Sequence, residues 1–286
     1  MRSQKLGVAI SVAAVLLLIA CISADAGTIT IGSYDGTVSL RPFTGGDFSN
    51  LIADLLDPSN FGPGGINSSS VVIAGAVGSV NASILSGYNV FVMDEVSSLP
   101  AGDAAALAAW VAGGGRLVIS NDSSGDGATG GNAILSLLDG SSITTGFQGG
   151  STDSGNITAS GLSSNGLFGN LVGGTFGASP GSPLIAGASS KIIATSDGAN
   201  FLMETLAGSG AVLTTADVSF MNFFVPPGTV ASNINNGLLF ENFMPVLSAG
   251  NPSPGPSPVP EPHSLLLLCS GLVGLASATW RRHRHK

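Results

Sequence analysis

The residues of this chain best suited to chemistry are acidic: Asp35, Asp94, Glu95, Asp122, Asp126 and Asp217. Each follows a short apolar run, "TITIG", "VFVM", "RLVIS" or "AVLTTA". In an open α/β sheet, ligands bind beyond the carboxyl ends of the strands, so adjacent strands would set these carboxylates on one rim. Carboxylates with few cations around them suit a hard divalent ion such as Ca²⁺. "DSSGDG", Asp122 to Gly127, begins like a calcium loop of the form D-x-S-x-D-G, with Asp122, Ser124 and Asp126 as oxygen donors and Gly127 at the sharp turn. The twelfth position, where a bidentate acid belongs, is Ala133. The same residues also make a plain solvated turn, and both readings stand.

Asp94 and Glu95 invite a second chemistry, since neighbouring carboxyls with different pKa values can act as acid and base. Adjacent strand residues point to opposite faces, which favours capping or solvation instead. Sugar hydrolysis needs two carboxylates across a cleft. Such clefts usually carry aromatic platforms, and the Trp and Tyr residues between the terminal segments are only Trp110, Tyr34 and Tyr88. The expectation is therefore no catalytic residue.

Inventory removes other mechanisms. Cys21 and Cys269 lie near the two ends, and His263, His283 and His285 lie in the tail. The central region thus has no disulfide, no Cys–His or Ser–His–Asp nucleophile and no His-ligated zinc. Only Arg41, Arg116 and Lys191 are basic there, against 15 of the chain's 17 acids, a net charge of −12. Such a field repels phosphate backbones and excludes nucleic acid as a partner.

Stepping along the chain, β-rich runs alternate with helical ones. "DFSNLIADLL" repeats Phe48, Leu51, Ile52 and Leu55 at helical spacing behind Asp47 as a cap. "SVVIAGAV" and "YNVFVMDE" read as strands buried on both faces. Pro100 opens a helix that Gly113 stops, "RLVISND" is the next strand, and "GNAILSLLDG" is another helix. This alternation predicts an α/β fold with a mostly parallel sheet. Residues 139–190, rich in Gly and Ser without helical period, read as a β insertion of irregular strands and loops, with a low-complexity linker as the alternative.

The stretch "YNVFVMDEVSSLPAGDAAALAAWVAGGGRLVISND" resembles class I glutamine-amidotransferase-like, flavodoxin-like domains, as do the later "GSGAVLTTADVSFMNF" and "NNGLLFENFMPVL". The resemblance implies a Cys nucleophile just after "RLVIS" and a distant His. This chain has "NDSSGDG" there, so it implies the scaffold without the glutaminase chemistry.

Both ends carry targeting features. Arg2 and Lys5, an apolar run and Ala24-Asp25-Ala26 read as a signal peptide (1–26) cleaved between Ala26 and Gly27. "LIAC" at Leu18–Cys21 competes as a lipobox that would lipidate Cys21. After the exported domain (27–248) comes a Pro-rich spacer (249–259), semi-rigid by its alternating prolines. Ser264–Trp280 is an uncharged stretch at the short end for a transmembrane helix, and Arg281, Arg282 and Arg284 follow it as a cytoplasmic anchor.

The order of Pro260-Glu261-Pro262, apolar run and basic end resembles the PEP-CTERM sorting signal of Gram-negative bacteria, over residues 260–286. It implies an exosortase as processing partner, inner-membrane anchoring before processing and release to the cell surface or extracellular matrix, with exopolysaccharide as a companion. The expected function is that of an exported, non-enzymatic envelope or matrix protein needing no cofactor. A carboxylate-based glycan hydrolase and a calcium-dependent binding module are the alternatives.

Overall fold

The computed structural model describes residues 27–122, 127–145, 154–178, 181–221 and 231–247, all within the first of the two units of the chain, residues 1–254. Its first half alternates strand and helix: β1 (Thr28–Ser33), α1 (Ser49–Leu56), β2 (Ser70–Ile73), α2 (Ala82–Leu85), β3 (Val90–Asp94), α3 (Ala101–Ala112), β4 (Arg116–Ser120) and α4 (Ala128–Leu138). Short strands follow, β5 (Ser142–Ile143), β6 (Ser154–Ile157), β7 (Thr175–Gly177) and β8 (Leu184–Ile185). Three longer strands, β9 (Ser190–Ser196), β10 (Ala199–Ala207) and β11 (Gly210–Thr215), precede the last helix, α5 (Ala231–Phe243).

Nine strands form one sheet in the order β2-β1-β3-β4-β11-β10-β9-β6-β7, and β5 pairs with β8 apart from it. The first five strands pair in parallel. Counting β11 as the fifth strand, their order is the flavodoxin type, 2-1-3-4-5, with its switch point between β1 and β3. Beyond β11 all pairings are antiparallel. Direction reverses only at β10 and β6, so seven of the nine strands run the same way, and the fold is mixed α/β with a mostly parallel sheet.

Local sequence explains the elements. All five residues of β3 are buried, as a continuous apolar run in a central parallel strand requires. Pro100 precedes α3 with a φ of −56°, and Gly113 follows its last turn. At the β9–β10 turn, Asp197 and Gly198 both have positive φ, 49° and 78°, which matches the twist of the strands they join. That Asp-Gly pair was the available sequence signal for a hairpin.

Three local expectations need correction. β2 lies at the sheet edge and is not buried on both faces; Val72 is 48 % exposed. Asp47 does not cap α1, because a 3₁₀ turn (Gly46–Phe48) intervenes and Phe48 takes the cap position without a side-chain bond. Helix α4 starts at Ala128 rather than Gly131, since Gly127 in the left-handed region (φ 91°) reverses the chain just before it.

Tight backbone packing sets α4 against the end of β3. A Cβ at Gly130 would lie 2.2 Å from the Val96 carbonyl oxygen. Gly130→Ala is therefore expected to cost about 1–3 kcal/mol through overpacking, despite Ala's better helix propensity. Urea unfolding checks this; an unchanged or raised midpoint would show that α4 shifts freely.

Candidate functional site

The carboxyl ends of β3, β4 and β11 deliver a cluster of acids around one cation. Asp94 ends β3 and is 1 % exposed. Glu95 follows with φ 46°, a left-handed conformation rare for a long side chain, and its amide donates to the Ser120 carbonyl at 3.0 Å. Its carboxylate Oε2 lies 3.3 Å from Nε of Arg41, which comes from the segment after β1. Ser39, two residues earlier, donates from its hydroxyl to the carbonyls of Asp94 and Arg41. That segment is thereby clamped over the strand end.

Burial perturbs the first of the two neighbouring carboxyls. Burial pushes Asp94 up to about 8; the charges of Glu95 and Asp122 add to this, and the Ser120 hydroxyl and Arg41 oppose it. Neither Asp94 oxygen has a partner at ordinary hydrogen-bond geometry among the described residues. Asp217 is also raised by burial and by Asp122, although its Oδ1 accepts from the Ser219 amide at 2.7 Å and opens the 3₁₀ turn Val218–Phe220. Burial thus favours the neutral form of Asp94, whereas Glu95 has Arg41 as its counter-ion.

Of the rim acids, Glu95 contacts Arg41, Asp94 and Asp217 feel its charge, and Asp122 acts on both of these. Asp35 does not join them. It folds onto its own turn, accepting from the Thr37 amide at 2.9 Å and the Thr37 hydroxyl at 2.5 Å, and these bonds lower its pKa. Ser124 and Asp126 lie outside the described residues, as do Ala26 and Pro260-Glu261-Pro262, while Gly27 lies at the edge of β1. Among the described residues no group of three or more His, Cys, Asp or Glu side chains is placed to hold a metal ion.

Sequence reasoning missed the partners of the acids. Arg41 pairs with Glu95. Arg116 donates from one nitrogen to the carbonyls of Ser163 (3.2 Å) and Phe243, with its guanidinium over the Phe243 ring. It also faces Glu204, as does Lys191, which stands opposite Glu204 across β9 and β10. Glu204 is fully buried and its Oε1 accepts from the amide and hydroxyl of Ser163. All three cations of the domain are thus set against buried acids.

A third acidic group lies where α1 meets α5. Burial, then the charges of Asp54 and Asp57, raise Glu241 to about 7. Its Oε1 accepts from Asn60, whose other bond goes to the Asp54 carbonyl. Glu241→Gln is expected to leave stability at pH 5 nearly unchanged and to raise it at pH 8, as thermal unfolding at the two values checks; equal shifts at both would remove the charge explanation.

The address lies outside this geometry, in the tail. Residues 258–282 match the PEP-CTERM protein-sorting motif. The chain thus carries the mark of an exported protein sorted by an exosortase. No curated protein matches the chain. Among solved structures, it is similar to the mmIFT52 N-terminal domain (13 % identity, TM-score 0.49, 67 % of this chain and 86 % of that one). A putative ThuA-like protein from Bacteroides uniformis ATCC 8492 gives 12 % identity and TM-score 0.42 over 77 % of this chain and 91 % of that one. The β-galactosidase from Bacillus circulans sp. alkalophilus gives 14 % identity and TM-score 0.44 over 79 % of this chain but 33 % of that one. None of these establishes a glutamine-amidotransferase relationship or an activity. Among the described residues no helix is long and apolar enough to cross a membrane, and the expected span Ser264–Trp280 lies beyond them.

Proposed function

We propose that this PEP-CTERM protein is a non-enzymatic component of the cell surface or extracellular matrix, associated with exopolysaccharide. Its tail would anchor it in the inner membrane until the exosortase acts. The observation that carries the non-enzymatic reading is how the strand-end acids are engaged. Glu95 is salt-bridged and 2 % exposed, Asp94 is 1 % exposed, and Asp217 caps a turn. A hydrolase needs an acid and a base that reach substrate; here Glu95 ties down the segment after β1, Asp217 caps the 3₁₀ turn, and Asp94 is enclosed.

The reading is tested by mixing the purified full-length chain with exopolysaccharide from its host. Co-sedimentation without new reducing ends is expected. Release of reducing ends that disappears in Glu95→Gln, with folding intact, would replace this reading by the carboxylate hydrolase.

A further inference from the structure

A cavity of about 330 Å³ lies where α5 packs near the sheet, and its lining contains none of the rim acids. Its floor is aliphatic, with Ile157, Ile193, Leu202 and Leu213 supplied by β6, β9, β10 and β11. Phe243 of α5 closes one side. The other wall is the segment 159–172, which brings Ser160, Ser164 and the bare backbone of Gly161, Gly166 and Gly169 to the opening.

Loop residues this rich in Gly and Ser would ordinarily collapse into an apolar void. Here the buried Glu204 and Asn242, with the half-buried Asn165, tie the segment in place. Glu204 accepts from the Ser163 amide at 3.0 Å. Asn242 accepts from the Phe168 amide at 3.0 Å and donates to the Gly169 carbonyl at 3.2 Å. Asn165 accepts from the Leu167 amide and donates to the Met244 carbonyl, both at 2.9 Å. Anchors of this kind keep a site open and pre-organised.

From this arrangement we propose that the cavity binds a neutral, hydroxyl-rich sugar ring; the assignment rests on the matrix-association reading and deepens it. A sugar ring has C–H faces that match the aliphatic floor and hydroxyls that match serine and exposed backbone at the wall. The volume admits one or two rings. Anions are disfavoured, because the domain carries 15 acids against three bases. Cations are disfavoured, because Arg116 and Lys191 already flank Glu204, the acid in the lining. Glu204 itself lines the cavity: its Oε1 holds the wall through Ser163, and its Oε2, with no hydrogen-bond partner among the described residues, is placed to accept from a sugar hydroxyl.

The test uses the detergent-solubilised full-length chain, titrated with D-glucose, D-galactose, D-mannose and N-acetyl-D-glucosamine by ligand-observed NMR, with D-glucuronate as the anionic control. Saturable binding of at least one neutral sugar is expected, with glucuronate at least tenfold weaker. Ser164→Trp, which fills the cavity, is expected to lose at least tenfold in affinity. The milder Ser160→Ala is expected to lose about threefold with an unchanged Tm, and it carries the test should the Trp variant fail to fold. Absence of saturation by every neutral sugar, or affinity unchanged in both variants, overturns the proposal. Co-sedimentation with exopolysaccharide separates the two readings. Retention equal in wild type and Ser164→Trp overturns the cavity assignment and leaves matrix association standing. Sugar saturation lost in Ser164→Trp, without retention on polymer, supports the cavity and removes matrix association.

Discussion

Asp94→Asn should make the domain more stable at pH 8 and leave it nearly unchanged at pH 4. Asp94 is enclosed at the end of β3 and its pKa is raised from 3.8 to about 8, chiefly by burial. The folded chain therefore keeps a proton there that the unfolded chain releases near pH 4. Wherever the native state binds the extra proton, stability falls as pH rises. The contribution of the protonated group is intact below about pH 4 and lost progressively up to about pH 8. A gap of this size corresponds to of order 5 kcal/mol. Glu241, Glu204, Asp217 and Asp54 are raised as well and add slope of the same sign. The domain should accordingly be most stable in mildly acidic solution. Urea unfolding across pH 4–9 measures this: Asp94→Asn should remove a large part of the slope, and parallel curves for wild type and variant would refute the assignment.

Arg41→Met is expected to cost about 3–5 kcal/mol at neutral pH, because it removes the guanidinium 3.3 Å from the enclosed Glu95 carboxylate. An exposed pair would be worth about 1 kcal/mol or less. Arg41 is itself partly exposed, with 27 % of its side chain accessible, but Glu95 is enclosed, and it is the enclosed acid that sets the penalty. The double variant Arg41→Met, Glu95→Met should recover most of the loss, since neither charge then remains. Chemical denaturation of the two single variants and the double variant closes this cycle. A loss below about 1 kcal/mol in Arg41→Met would mean that Glu95 finds its compensation elsewhere.

These predictions concern residues that the sequence revealed unevenly. β1, β3, β4 and α3 were readable because their signals are local: continuous apolar runs, Pro100 at the start of a helix and Gly113 at its end. The acids at the strand ends were readable for the same reason, since Asp94, Glu95 and Asp217 directly follow such runs. Their grouping depended on strand order, which the alternation of strand and helix already suggested. Arg41 was not legible as their counter-ion, because it lies more than 50 residues away in an irregular segment and is brought in by long-range packing.

The second half of the sheet was harder to read. Strands β6 and β7 are four and three residues long and pair antiparallel across a loop of 17 residues, 158–174. Their Gly- and Ser-rich sequence has no period to announce them. Glu204 looked like one more acid in a chain with 17, yet its place on β10 makes it the anchor of the cavity wall. The exception was Asp197-Gly198, a strong local signal for the β9–β10 hairpin.

The central claim, an exported protein addressed by its tail, is tested most directly by intact mass and fractionation from host cells with and without the exosortase. The account predicts a mature chain beginning at Gly27 and ending near Pro260, found at the surface or in the matrix only when the exosortase is present. A chain retaining its C-terminus through Lys286 in the inner membrane of both strains would contradict it. The 258–282 motif would then act as a plain anchor, and the matrix role would lose its support.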